Sequence, residues 1–188
     1  MIRIDDIGAS SKRWETWSRY RWANFWPLNL RYFFGAWAPY RELDPEELET
    51  IFSVVQQAQR TITVAVTAFW VKRDGTLIAF NKKYPAQAAV LGIYAQRGVV
   101  EVAAHGLTHC LPGHHLPRWI RGNRIYHREH GRAWQDEAKR SIESWLHLPV
   151  TRCVAPGERA NGTDLIFHDR DFVLNWAGSM KKLMEALR

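Results

Sequence analysis

Two apolar, β-branched runs separated by a helical stretch constrain the fold of this chain more than any other feature. The run TITVAVTAFWV, residues 61–71, is apolar at nearly every position, as is typical of a strand buried on both faces. The run VVEVAAH, residues 99–105, has the same character. Between them, PAQAAVLGIYAQRG predicts a helix that begins at Pro85 and ends at Gly98. This order of segments predicts parallel strands joined by a helix.

The rest of the chain continues this alternation. MIRIDD predicts a strand with two acids at its C-terminal end, and LDPEELETIFSVVQQAQR predicts a helix with Asp44 at its cap and Pro45 in its first turn. Further helices are predicted from REHGRAWQDEAKRSIESWLHL and SMKKLMEALR, a strand-to-loop step from VTRCVAPG, and another apolar run from DLIFHDRDFVL. We therefore expect an α/β fold, either a parallel sheet or a barrel, with one domain over residues 1–188 and an aromatic-rich insertion at about residues 13–40.

Charge and aromatic content indicate the class of partner. The net charge is +7 and the chain contains 10 Trp. Such a chain could bind nucleic acid, through basic and stacking side chains, or carbohydrate, through indoles lying against sugar rings. No motif for nucleic-acid recognition is present. The acids in MIRIDDIGASSK replace the apolar part of a secretory signal, so the cytoplasm is the expected location.

Residues able to bind a metal follow several predicted strands. His105 ends the VVEVAAH strand, His109 follows it four positions later, and Asp5 and Asp6 end the first strand. A fifth residue, His168, ends a later apolar run. Since working residues of parallel β/α folds collect at the C-terminal ends of the strands, we expect these side chains to share one edge.

These residue types suit metal-assisted hydrolysis. Two His residues and a carboxylate, here His105, His109 and Asp6, form a common catalytic zinc set, which non-haem iron also uses. A bound metal lowers the pKa of its water towards about 7, and Asp5 can act as the base. Taken singly, HxxxH also fits surface histidines, and paired acids also fit a helix cap. Together, after buried strands, they predict one divalent transition metal, with zinc first.

The motifs resemble those of the polysaccharide deacetylase superfamily, which includes chitin and peptidoglycan N-deacetylases. RIDD is similar to the first motif of the family, and HGLTH is similar to its HxxxH motif. TITVAVTAFWV lies where the family has its ATFF strand, IFHD resembles the late His motif, and CVAPGERANG resembles the Pro-Gly loop of the substrate groove. HGLTHC with NRIYHRE is similar to short deacetylase-like proteins associated with bacterial surface-polysaccharide synthesis.

The resemblance implies roles for individual residues. Asp6, His105 and His109 would be metal ligands and Asp5 the general base. His168 would be the acid that protonates the departing amine, although on chemical grounds Asp5 could supply this proton as well. The implied fold is a distorted, shortened (β/α) barrel with its active site at the C-terminal ends of the strands.

Three further segments are expected to contact the substrate. They follow strand ends or the histidine loop, and contribute Trp14 and Trp17, then Asn123, Arg124 and His127, then Pro156, Gly157 and Arg159. The expected function is removal of an acetyl group from an N-acetylated saccharide, anionic or lipid-linked, in surface-polysaccharide synthesis. Trp and Arg together also suit peripheral contact with the inner membrane surface. The rival hypotheses are a glycan-binding pseudoenzyme of the same fold and a nucleic-acid-binding module.

Overall fold

The protein alternates strands and helices along its chain. The structure, a computed structural model, describes residues 1–9, 41–72, 74–109, 131–156 and 164–188. The strands in these ranges are β1 (Ile2–Ile7), β2 (Ile62–Val66), β3 (Phe69–Val71), β4 (Leu77–Ala79), β5 (Val100–Ala104) and β6 (Leu165–His168). The helices are α1 (Pro45–Gln57), α2 (Phe80–Lys83), α3 (Pro85–Gln96), α4 (Arg132–Leu146), α5 (Asp169–Leu174) and α6 (Trp176–Leu187).

Four of the strands form one parallel sheet in the order β5–β2–β1–β6, which confirms the predicted α/β fold. The first strand of the chain lies inside this sheet, because β1 pairs with both β2 and β6. Beyond β5, the predicted VTRCVAPG step contributes a single parallel bridge between Ala104 and Cys153. All four strands run in the same direction, so their C-terminal ends meet at one edge of the sheet.

The prediction of one strand over residues 61–71 is wrong. The run divides after β2, where Thr67 donates its backbone N–H to the Ile7 carbonyl at 2.9 Å. From there the chain leaves the sheet, and the N–H of Phe69 donates to the carbonyl of Leu107 at 2.9 Å. The second half, β3, pairs antiparallel with β4. An uninterrupted apolar run gives no sign of this division, because only the backbone partners change.

The main core lies between one face of the sheet and the helices. The predicted start of α1 is confirmed: Asp44 accepts the N–H of Glu47 in a capping box, with Pro45 at the first position. The apolar stripe of α1 is buried, and α1 packs against α3 and α6. On the sheet, the same core contains buried side chains of alternate positions, among them Ile4, Val64 and Val102. Each such fully buried aliphatic side chain stabilises the fold by about 1.5–3 kcal/mol.

The opposite face of β1 is polar. Arg3 and Asp5 alternate with the core residue Ile4, and both are buried. Their strand neighbours include Thr63 on β2 and His168 on β6. Within the described ranges, no helix is both long enough and apolar enough to cross a bilayer.

Candidate metal centre

Asp6 sits at an irregularity near the end of β1. The pairing of β1 with β2 shifts register between Ile4 and Ile7, and Asp6 has a left-handed backbone with φ 70°. Asp adopts this conformation more readily than most residues, and such bulges redirect a side chain near functional sites. The side chain of Asp6 is thereby directed towards the loop that follows β5.

That loop brings both histidines onto the same carboxylate. The Oδ1 atom of Asp6 lies 3.0 Å from Nε2 of His105 and 3.2 Å from Nε2 of His109. The three ligand atoms all lie within 4.8 Å of one another. Ligands of a tetrahedral zinc ion are about 3.4 Å apart, so the set is close to the spacing that the metal requires. The structure thus brings together the three residues that the sequence nominated as ligands.

The histidine loop is held by backbone contacts rather than by its own regular structure. His105 donates its backbone N–H to the carbonyl of Val66 at 2.8 Å, and Leu107 accepts from Phe69. The intervening Gly106 has φ 76°, which allows the chain to turn immediately after His105. The division of the apolar run is therefore linked to the site, because Phe69, at the start of its second half, holds the loop between the two histidines.

The carbonyl of Val154 determines which nitrogen of His105 faces Asp6. Nδ1 of His105 is 2.8 Å from this carbonyl, which can only accept, so Nδ1 carries the hydrogen and donates it. In neutral imidazole, Nε2 then presents a lone pair to the Asp6 oxygen, which has no hydrogen to offer. The short Nε2–Oδ1 contact therefore requires a proton or a cation between the two atoms. Metal-ligating histidines are usually oriented in this way by a carbonyl or carboxylate.

The electrostatics of Asp6 favour its charged form. Burial alone would raise its pKa, but hydrogen bonds and charge from His105 and His109 outweigh burial and hold the pKa of Asp6 well below its usual range. The side chain is 14% exposed, so part of it is in contact with solvent. Asp6 is consequently an anionic, partly accessible carboxylate at neutral pH.

Asp5, the predicted base, lies on the polar face of β1 and contacts Arg3. The two N–O distances are 2.8 Å from Nε to Oδ1 and 2.9 Å from Nη2 to Oδ2. Both side chains are almost completely buried. The sequence analysis did not single out Arg3, although its position two residues before Asp5 places both on one face of the strand.

His168, the predicted acid, ends β6 and is the register partner of Asp5. Its side chain is 36% exposed. Its backbone N–H donates to Oδ2 of Asp171 at 2.8 Å, and its Nδ1 is 3.6 Å from the same oxygen. The two predicted proton-transfer residues therefore occupy neighbouring strands at the same level of the sheet.

Pro156 is the one predicted substrate-binding residue that lies in the described part of the chain. It is buried, two residues after Val154, whose N–H donates to the Ala104 carbonyl at 2.9 Å. The remaining predicted substrate-binding residues lie outside the described ranges: Trp14, Trp17, Asn123, Arg124, His127, Gly157 and Arg159. The aromatic-rich insertion at about residues 13–40, with its predicted sugar-stacking and membrane contacts, also lies outside them.

Two carboxyl groups near Asp6 were missed by the sequence analysis. Asp169, at the start of α5, is completely buried and hydrogen-bonded to Glu42. Burial, followed by the charges of Glu42 and Asp6, raises the pKa of Asp169 well above its usual value. Asp169 follows His168 directly in the IFHD motif, whereas nothing in the sequence around Glu42 indicates a contact with it.

Comparison of the chain with protein-family models, with curated proteins and with solved structures returned no match. The chemistry of the site therefore rests on its own residues. One carboxylate and two imidazole nitrogens form a donor set suited to a borderline divalent metal, and three protein ligands leave a coordination position for water or substrate.

Proposed function

We propose that this protein is a metal-dependent hydrolase that removes the acetyl group from an N-acetylated sugar during surface-polysaccharide synthesis. The observation that carries the proposal is the convergence of Asp6, His105 and His109 on one point, with Nδ1 of His105 donating to a carbonyl. The choice of an N-acetylated sugar rests on the resemblance of RIDD and HGLTH to the polysaccharide deacetylases. The sugar is expected to be anionic or lipid-linked because the chain is strongly basic.

Asp6, His105 and His109 would hold one divalent transition metal, with zinc as the first choice. The metal would supply Lewis acidity, which polarises a carbonyl and lowers the pKa of water. The left-handed backbone of Asp6 aims its carboxylate, and the carbonyl of Val154 sets the tautomer of His105. These two features are the contribution of the protein to assembling the site.

Proton transfer is assigned to the polar face of the sheet. Asp5 would accept the proton of the attacking water, because each carboxylate oxygen retains a second lone pair beside its contact with Arg3. His168, next to Asp5 in register, would deliver a proton to the nitrogen of the departing amine. The amide C–N bond breaks, the water oxygen and its second hydrogen stay with the acetyl carbon as acetic acid, and the amine leaves neutral. The proton held by Asp5 then restores His168.

We also infer that the parallel sheet belongs to a distorted, shortened (β/α) barrel. The parallel bridge from Ala104 to Cys153 supports this inference, because it adds chain to the β5 edge of the sheet. The polar face of β1 supports it as well, since Arg3 and Asp5 would point into such a barrel. In this arrangement the site lies at the C-terminal ends of the strands.

The first experiment is metal analysis of untagged protein by mass spectrometry. We expect about one equivalent of a transition metal in the wild type, and loss of that metal in both Asp6→Ala and His105→Ala. His147→Asn is the matched control, because His147 is an exposed histidine with φ 56°, a conformation that Asn also tolerates. Protein that binds no metal, even after anaerobic loading with zinc, iron or manganese, would contradict the proposal.

Acetate release then separates the enzyme from its rival of the same fold. Loaded protein is incubated with N-acetylated oligosaccharides, and acetate and free amine are measured. Release by the wild type, and its loss in His105→Ala, would support the hydrolase. Metal binding and saccharide binding without acetate release would instead identify a glycan-binding pseudoenzyme.

A further inference from the structure

The two carboxyl groups of Glu42 and Asp169 lie beside the turn that carries Asp6 and have no part in the proposed chemistry. Oε2 of Glu42 accepts the backbone N–H of Gly8 at 2.9 Å. Asp169 is completely buried at the start of α5, and its Oδ1 accepts the N–H of Arg170 at 2.6 Å. Since Asp169 is also hydrogen-bonded to Glu42, the turn after β1 is connected to the start of α5 through two side chains.

The turn itself contains two residues with left-handed backbone. Asp6 has φ 70° and Gly8 has φ 85°, and the N–H of Ala9 donates to the Asp6 carbonyl at 2.8 Å. A left-handed conformation is unfavourable for a residue with a Cβ, so Asp6 keeps it only where surrounding contacts enforce it. The contact from Glu42 to Gly8 is such a contact, two residues after the ligand.

A hydrogen bond between two carboxyl groups requires that one of them carries a proton, because a carboxylate has no donor. Complete burial, together with the neighbouring charges of Glu42 and Asp6, favours the neutral form of Asp169. Tyr84 lies near the same pair: burial, followed by the charges of Glu42 and Asp169, raises the pKa of its hydroxyl. We therefore assign the proton to Asp169, so that Glu42 accepts from Asp169 as well as from the N–H of Gly8.

We propose that Glu42 and Asp169 are positioning residues that fix the turn after β1 and thereby hold the Asp6 carboxylate towards His105 and His109. Asp169 orients Glu42, and Glu42 binds the backbone of the turn. The effect of these residues on metal binding rests on the proposed function. The connection from Asp169 through Glu42 to Gly8 does not depend on it.

The first test uses metal-free protein and hydrogen–deuterium exchange at the amide of Gly8. Glu42→Ala and Asp169→Ala should accelerate this exchange about tenfold or more, as expected for loss of a hydrogen bond to a charged acceptor. Asp169→Asn is the matched control: its amide can still donate to Glu42 and its oxygen can still accept from Arg170, so exchange should stay within about twofold of wild type. Exchange at the amides of α1 is measured in the same experiment, because fast exchange there would show that a variant has lost its fold rather than one hydrogen bond.

The second test measures metal binding by the same variants. Affinity for Co²⁺ should fall by about 10–100-fold in Glu42→Ala and Asp169→Ala, with a changed visible Co²⁺ spectrum, and should be retained in Asp169→Asn. A residue that only stabilises the fold would lower the melting temperature but leave the spectrum of the folded protein unchanged. Should Asp169→Ala not fold, Glu42→Ala alone decides, because Glu42 is only partly buried and precedes α1.

The outcomes of the two tests distinguish the positioning role of Glu42 and Asp169 from the proposed metal-dependent function. Unchanged Gly8 exchange in Glu42→Ala, with α1 still protected, overturns the positioning role whatever the metal does. If the wild type binds no metal but Gly8 exchange is accelerated in Glu42→Ala and Asp169→Ala, the connection from Asp169 through Glu42 to Gly8 stands. The proposed metal function is then wrong. Metal binding that is equal in all variants removes the positioning role and leaves the function standing.

Discussion

Asp5 on β1 and His168 on β6 are register partners in adjacent parallel strands. Two residues that are 163 positions apart in the chain thus stand side by side at one level of the sheet. The cluster of Asp6, His105 and His109 begins at the next residue of β1. Because strand register shifts at this point, the two neighbouring acids face different surroundings. Asp5 stays on the polar face of the strand, and Asp6 turns to the histidines.

This arrangement predicts that Asp5 and His168 serve proton transfer rather than metal binding. Asp5→Asn and His168→Ala should each lower the rate of acetate release by about 10²–10⁴-fold, the usual contribution of a general acid or base. Metal content should remain that of the wild type in both. His147→Asn should change neither quantity. A His168→Ala enzyme with nearly full activity would transfer the acid role to another group, such as Asp5 after it has accepted the water proton.

The contact of Arg3 with Asp5 predicts a large stability effect. Removing one partner of a buried ion pair leaves the other charge without compensation, so Arg3→Met should lower the free energy of unfolding by about 3–5 kcal/mol. Replacing both residues in Arg3→Met/Asp5→Leu should cost less than Arg3→Met alone, because no charge then remains buried. Urea unfolding of the variants measures both quantities.

An exposed ion pair provides the control. Arg132 and Asp136 on α4 are 4.0 Å apart, with 96% and 48% of their side chains exposed. Arg132→Met should leave the urea midpoint unchanged, because exposed pairs contribute little. If Arg3→Met also left the urea midpoint unchanged, the ion pair between Arg3 and Asp5 would have no energetic importance.

The sequence nominated the three candidate ligands because each lies at or after the end of a buried strand, and the structure brings them together. Asp6 and His105 are 99 residues apart, yet both were nominated from local signals: an apolar run followed by a metal-ligating side chain. Parallel pairing then brings such residues to one edge of the sheet. The same reasoning placed His168 at the end of a strand, and the structure adds that this strand pairs with β1, so that His168 lies beside Asp5. The capping signals of α1 gave its first residue correctly.

The contacts that orient these residues could not be read from the sequence. The left-handed backbone of Asp6 depends on a register shift against β2, and the tautomer of His105 depends on a carbonyl 49 residues away. The division of the run over residues 61–71 depends on backbone partners rather than on side chains. Glu42 gave no signal because its neighbours in space, Gly8 and Asp169, come from distant parts of the chain.

Gly8 should tolerate substitution less well than another glycine with the same backbone. A Cβ added at Gly8, φ 85°, would lie 2.8 Å from a ring carbon of Phe80, whereas at Gly98, φ 73°, it would meet nothing within 4 Å. Gly98→Ala should therefore lower the free energy of unfolding only by the cost of a left-handed backbone at alanine, about 1–2 kcal/mol. Gly8→Ala should cost about 1–3 kcal/mol more, because the clash is with a buried ring.

Thermal unfolding of the two alanine variants measures the difference. In a Phe80→Leu background, Gly8→Ala should lower the melting temperature by less than it does in the wild type. The smaller side chain removes the ring carbon that the added Cβ meets. Equal costs at Gly8 and Gly98 would mean that Phe80 moves aside freely, and that the turn after β1 is less closely packed than the structure indicates.

The raised pKa of Asp169 predicts an unusual dependence of stability on pH. Burial and the charges of Glu42 and Asp6 favour the neutral form of Asp169 in the folded protein, whereas in the unfolded chain its pKa is about 3.9. A group with a raised folded pKa contributes stability that is fully present below the unfolded value and is lost as pH rises through the folded value. Asp169→Asn, which stays neutral, removes this dependence. Within the described ranges, Glu42, Asp6 and Tyr84 are the titratable groups whose electrostatic interactions involve Asp169.

The measurement is urea unfolding of wild type and Asp169→Asn from pH 4 to pH 9, with a chelator present so that metal binding does not contribute. Near pH 4 the two proteins should be similar in stability. At higher pH the wild type should lose stability relative to Asp169→Asn, by at most about 1.4 kcal/mol per pH unit, the limit for one proton. A difference that is constant across this range would show that Asp169 is already ionised in the folded protein. The hydrogen bond to Glu42 would then have no proton, and the two carboxylates would repel each other beside Asp6.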